Sequence, residues 1–137
     1  MNTSYYTEPD TDARVKRTVL VVDDHPDMRV LCRRILQRYG YDVLGAGNAA
    51  EADAIVAARD GALGAVISDV HMPGELGTSL ARRLRRRYPE LGILLVSAGP
   101  PDADLAELVS NDPRMAFMLK PINTQDFALA VEGFCGS

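Results

Sequence analysis

Five short apolar runs recur along this chain: VLVV (19–22), YDVLGA (41–46), GAVISD (64–69), GILLVS (92–97) and MAFMLK (115–120). Each is followed by a segment with the period of a helix. Runs this short and this apolar read as strands, because a helix buried on all sides needs more residues than these runs supply. Residues 26 to 39 carry Met28, Leu31, Cys32, Ile35, Leu36 and Tyr39 on one helical face, and Gly40 stops them. Ala49 to Arg59 is an alanine-rich helix ended by Gly61, and Thr78 to Tyr88 is a helix closed by Pro89. Residues 103 to 110 make a short fourth helix. A fifth begins near Asn123, whose side chain can cap it, and buries Phe127, Ala130, Val131 and Phe134.

Strands apolar on both faces belong to a parallel sheet covered by helices on both sides. Right-handed crossovers then give an α/β, doubly wound, five-stranded sheet with the flavodoxin-like order 2-1-3-4-5. In such sheets ligands gather at the carboxyl ends of the strands.

Composition excludes several classes. At 137 residues and 47% hydrophobic the chain has material for one core, and a net charge of −4 argues against a phosphate-backbone binder. Two cysteines, Cys32 and Cys135, are too few for a disulfide framework and are expected to be reduced and structural. Residues 1 to 17 have no hydrophobic period and are expected to form a flexible tail. They lack the apolar core of a signal peptide, and no run reaches transmembrane length, so a cytoplasmic protein without a membrane partner is expected.

The strand ends carry chemistry. The first ends in Asp23-Asp24, the third in Asp69, the fourth in Ser97 and the fifth in Lys120-Pro121. The strand order brings three carboxylates, a hydroxyl and an ammonium to one edge. Three close carboxylates repel one another unless a cation sits among them, and oxygen ligands with water-filled positions suit Mg²⁺. With Ser97 and Lys120 to meet phosphate oxygens, the inventory fits phosphoryl transfer onto a carboxylate. Asp69, alone on the central strand, is the candidate acceptor.

With VLVVDDHP, D-V-H-M-P-G-E-L-G, V-S-A and F-M-L-K-P in this order, the chain resembles the receiver domains of bacterial two-component response regulators, from the single-domain chemotaxis kind onward. The resemblance covers roughly residues 18 to 135, and residues 18–137 are taken as the domain. It implies that Asp69 accepts phosphate from a histidine kinase or histidine phosphotransfer protein. It further implies that Asp24, Asp69 and the backbone carbonyl of His71 ligate Mg²⁺, with Asp23 holding a metal-bound water. Ser97 and Lys120 would bind phosphoryl oxygens, the Lys120–Pro121 bond would be cis, and Ser97 with Phe117 would form a switch that remodels the face of helix 4, strand 5 and helix 5. The family signals rather than turning over substrate, so an enzyme is not expected. Monomer or weak dimer is the expected state. Because the chain ends just after helix 5, output is expected through protein–protein contact, relay of phosphate to another protein, or competition for a kinase's phosphate.

Other readings compete. A Mg²⁺-dependent aspartyl phosphatase or phosphotransferase acting on small molecules also uses an aspartyl nucleophile, but such enzymes usually carry a second acid two residues on, where this chain has His71. A module excised from a hybrid kinase, and a degenerate receiver that never takes phosphate, are the remaining alternatives. Asp24 could be a helix N-cap, with Pro26 in the first turn. GAGNAA (45–50) matches a dinucleotide fingerprint, but it follows the edge strand and its glycines are expected to serve a tight turn. ARRLRRRY (81–88) is expected to be a solvated basic face rather than a nucleic-acid surface. Asp27, Arg29, Arg33 and Arg34 flank the apolar stripe of the first helix; the resemblance implies that the kinase or phosphotransfer protein docks there, with ordinary solubilising charge as the other reading. Gly99, two residues after Ser97, leaves no side chain over the site.

Overall fold

The computed structural model describes residues 13–136. The strands are β1 (Thr18–Val22), β2 (Asp42–Ala46), β3 (Ala65–Asp69), β4 (Gly92–Ser97) and β5 (Met115–Leu119). They alternate with α1 (Pro26–Arg38), α2 (Ala49–Ala58), α3 (Gly77–Arg87), α4 (Ala103–Ser110) and α5 (Thr124–Cys135). All strand pairs are parallel and the order is β2-β1-β3-β4-β5, as the sequence predicts.

Strand alternation divides the core into two layers. Leu20, Val22, Val66, Ile93 and Leu95 face α2, α3 and α4 and pack with Val56, Leu80, Leu84 and Leu105. Val19, Val21, Ile67, Leu94 and Val96 face α1 and α5 and pack with Cys32, Leu36, Phe127 and Val131. β1, β3 and β4 are buried along their whole length, whereas the edge strands β2 and β5 are partly open. Both cysteines are free and buried. Burial, with the charge of Asp23 added, pushes the Cys32 thiol up to about 12, so it is an inert core group.

Three local expectations are corrected. Leu31 and Tyr39 are exposed on α1, because the stripe that meets the sheet is narrower than the periodicity suggests. Residues 13–16 form a helical turn where a flexible tail was expected. Arg17 beyond it is fixed by ion pairing to Glu132 on α5 at 3.2 Å and by stacking on Tyr41. Residues 1–12 of the expected tail lie outside the described residues. Gly45 belongs to β2 rather than to a turn, and the Arg29 side chain lies against it. Asn48 caps α2 by accepting from Glu51 N, and the Glu51 carboxylate accepts from Gly47 N just before the cap, so GAGNAA opens a helix by side-chain capping.

The basic helix α3 is not a uniformly solvated face. Arg83 pairs with Asp53 of α2 at 2.7 Å and with Glu75 of the β3–α3 loop. Arg85 pairs with Asp112 at 2.7 Å and donates to the carbonyls of Tyr88, Pro89 and Arg114. Arg82 pairs with Asp104 on α4. Three of the five arginines therefore join neighbouring elements, which the sequence could not display because Asp53, Asp104 and Asp112 lie 30, 22 and 27 residues from their partners.

Candidate functional site

The register of β1 with β3 pairs Val22 with Ser68, so the next residues, Asp23 and Asp69, stand side by side at the carboxyl edge. Both are buried, at 3% and 6% exposure. β4 and β5 pair Ser97 with Leu119, which brings Lys120 to the same edge, and the Lys120–Pro121 bond is cis. The Lys120 Nζ lies 3.5 Å from Asp23 Oδ2 and 3.5 Å from Asp69 Oδ2, a single cation shared by two buried acids.

Asp24 stands at the mouth of this cleft, partly exposed. Its Oδ1 is buried and has no hydrogen-bond partner among the described residues, although His25 Nδ1 lies 3.4 Å away. Asp24 is not the cap of α1: His25 occupies that position, without a side-chain cap bond, and Asp23 Oδ1 instead accepts from His25 N at 2.9 Å. One ligand atom from each of Asp23, Asp24, His25 and Asp69 lies within 4.8 Å of the others. An orphaned carboxylate oxygen beside two more acids and one ammonium fits a hard divalent cation, which would complete the missing partner and offset the repulsion.

The loop after β3 is shaped by two glycines. Gly74 has φ +90°, a conformation that favours glycine. Gly77 lies against the backbone of Asp69, where an added Cβ would come within 2.2 Å of the Asp69 carbonyl oxygen. Its N–H donates to the Val70 carbonyl at 2.7 Å. These contacts fix the loop that carries His71, whose own N–H donates to Asp69 Oδ1 at 3.3 Å and whose side chain is exposed.

Ser97 is buried, and its Oγ accepts from Gly99 N at 3.3 Å. By strand alternation Ser97 and Phe117 face the same side of the sheet, where Phe117, half-buried, packs against the same core layer as Leu108 and Val109 of α4. Asp23, Asp24, Asp69, His71, Ser97, Lys120 and Pro121 thus lie at or beside one sheet edge, while Phe117 sits in the middle of β5, paired with Leu95. Sequence reasoning missed two more. His25 meets both Asp23 and Asp24, and Arg29 is turned inward to donate to the Asp23 carbonyl at 2.6 Å rather than outward as a docking charge. The i to i+6 spacing of Asp23 and Arg29 across a helix start was the available signal.

An open α/β sheet with an acid cluster, a hydroxyl and a lysine at its strand ends defines a phosphoryl-receiving signalling class. The chain belongs to the response regulator receiver domain family, whose model matches residues 19–132. It is 34% identical over 125 residues, 91% of this chain, to the sensor kinase CckA of Brucella abortus. It is 39% identical over 115 residues, 79% of this chain, to the transcriptional regulatory protein AruR of Pseudomonas aeruginosa. The chain spans 13% of the former and 45% of the latter. Among solved structures it resembles the response regulator TrrA of Thermotoga maritima in complex with Mg(2+)-BeF, with TM-score 0.74, 28% identity and 86% and 98% of the two chains covered. It is a receiver domain of two-component systems.

Proposed function

We propose that the chain is a phosphorylation-dependent switch that takes a phosphoryl group onto Asp69 from a histidine kinase or histidine phosphotransfer protein. The observation that carries this reading is the convergence of Asp23, Asp24 and Asp69 with Lys120 3.5 Å from two of them. The likeness to a receiver solved with Mg(2+)-BeF supports it further.

In this reading an Asp69 carboxylate oxygen attacks phosphorus in line. The new P–O bond forms as the P–N bond to the donor imidazole breaks, and the imidazole leaves with the electron pair and takes up a proton. Lys120 neutralises one phosphoryl oxygen and Ser97 donates its hydroxyl to another. Asp24, Asp69 and the His71 carbonyl would hold Mg²⁺, with Asp23 acting through a bound water. When bound, the ion supplies charge neutralisation for the transferring group. The donor would dock along α1 near Asp27, Arg33 and Arg34. Ser97 drawn toward phosphate would free space for Phe117, and a partner protein would read the α4–β5–α5 face, where Leu119 and Leu129 are exposed. The domain would work in the cytoplasm as a monomer or weak dimer, without nucleic acid. It would promote only its own phosphorylation and dephosphorylation.

Intact-mass analysis after incubation with acetyl phosphate and Mg²⁺ tests the assignment, with Asp69→Asn alongside. The expected result is one phosphoryl adduct that requires both Mg²⁺ and Asp69. An adduct that persists in Asp69→Asn would assign the acceptor elsewhere.

A further inference from the structure

A groove of about 520 Å³ runs between the C-terminal end of α1 and one side of α5, lined by Arg17, Tyr39, Gln125, Ala128, Leu129 and Glu132. Its apolar walls are open: Tyr39 is 43% exposed and Leu129 70%. Its one acid is already answered, since the Glu132 carboxylate accepts from Arg17 at 3.2 Å and from the Tyr41 hydroxyl. Apolar contact is therefore available there without an unmet charge.

The chain carries a segment placed to cover it. Arg17 N–H donates to the Ala13 carbonyl at 3.1 Å, and its guanidinium is held by Glu132 and the Tyr39 carbonyl. The preceding residues, MNTSYYTEPDTD (1–12), thus join the described structure one helical turn, about 5 Å, from a side chain that lines the groove. Tyr6 stands seven residues before Ala13, which is a reach of about 23 Å when extended. The stretch of α5 from Gln125 to Glu132 needs only about 10 Å. Composition fits as well. Tyr5 and Tyr6 are aromatic rings suited to an open tyrosine and leucine. Glu8, Asp10 and Asp12 face no basic side chain within the segment, while exposed Arg38 adjoins Tyr39 at the groove. Tethering supplies an effective concentration on the order of millimolar, so a contact too weak for a free peptide suffices.

We propose that residues 1–12 dock back along the α1–α5 groove, with Tyr5 and Tyr6 against Tyr39, Ala128 and Leu129. Docked there, the segment covers one side of α5 and the end of α1, and any protein that binds this side must displace it. The contact does not depend on phosphoryl chemistry, so a missing Asp69 adduct leaves it intact.

Paramagnetic relaxation in the full chain tests it. A nitroxide is attached at Ser4→Cys, the native cysteines being buried, and amide broadening is read by NMR over residues 38–40 and 125–132. The same label is then read in Tyr5→Ser with Tyr6→Ser, and in Leu129→Ser, whose exposed position spares the core. Broadening of the groove is expected to fall about threefold or more in either variant, the scale of losing one aromatic contact. Because the tether is the same in all three, broadening that is equal in all of them reports proximity alone and overturns the proposal. A labelled chain that leaves the groove unbroadened overturns it too. Mixing isotope-labelled chain with nitroxide-bearing chain separates the last case: groove broadening as strong between molecules as within one gives the groove to a second copy, against docking in the same chain.

Discussion

Asp24 holds a buried oxygen with no hydrogen-bond partner among the described residues, next to a carboxylate pair that already shares one lysine. Such an atom costs stability whenever no cation is present, because a buried carboxylate oxygen without a partner forfeits the hydrogen bonds that water would give it. Asp24→Asn removes one charge and adds an N–H that can donate to the neighbouring acids. The metal-free protein is therefore expected to gain about 1 kcal/mol. The wild type is expected to rise in Tm on adding Mg²⁺ and the variant is not. Thermal unfolding with and without Mg²⁺ measures both, and a variant less stable than wild type without metal would contradict the account. At this scale the sequence was legible: Asp23, Asp24, Asp69, Ser97 and Lys120 were all named from the strand ends. His25 was not, because a lone histidine after an acid pair signals nothing until the turn folds its ring back over both acids.

Elements are joined here by arginines. Arg83 bridges α2 and the β3–α3 loop, and its hydrogen bond holds the Glu75 carboxyl below its usual range. A carboxyl depressed in the folded state contributes stability that is complete above its unfolded pKa and is lost as pH falls through the folded one. The pair is about one-third exposed, so solvent screening limits the effect. Arg83→Ala is expected to cost about 0.5–1 kcal/mol near neutral pH. The gap from wild type should narrow below about pH 4, as Glu75 takes up its proton. Urea unfolding across that range checks it; a gap that stays constant into acid would exclude Glu75 as the partner that matters. Helix and strand positions were readable because their periods differ, and the predicted α4 span of 103–110 is the observed one. The roles of the α3 arginines were hidden, since Asp53, Asp104 and Asp112 meet them only after the chain has folded.

Across the whole molecule, the proposed switch couples the edge of the sheet to the face made by α4, β5 and α5. Ser97 and Phe117 share one side of the sheet, and Phe117 packs against the same core layer as Leu108 and Val109 of α4. In the proposed switch, phosphorylation changes hydrogen-exchange protection over residues 103–119. Phe117→Ala is expected to keep the Asp69 adduct while losing most of that change. Exchange mass spectrometry of both proteins, with and without acetyl phosphate, reads the coupling. An unaltered response in the variant would place the switch in another residue.

The sequence by itself determined the elements, their order and the acids at their ends, because apolar periodicity and a parallel crossover rule leave few ways to bury five such strands. Only the tertiary structure decided which charges meet. Register set Asp23 beside Asp69, the β5 end brought Lys120 between them, and the turn into α1 put His25 against both acids. Periodicity along a chain reports burial, whereas a distance between two side chains is fixed by packing across elements that are far apart in sequence.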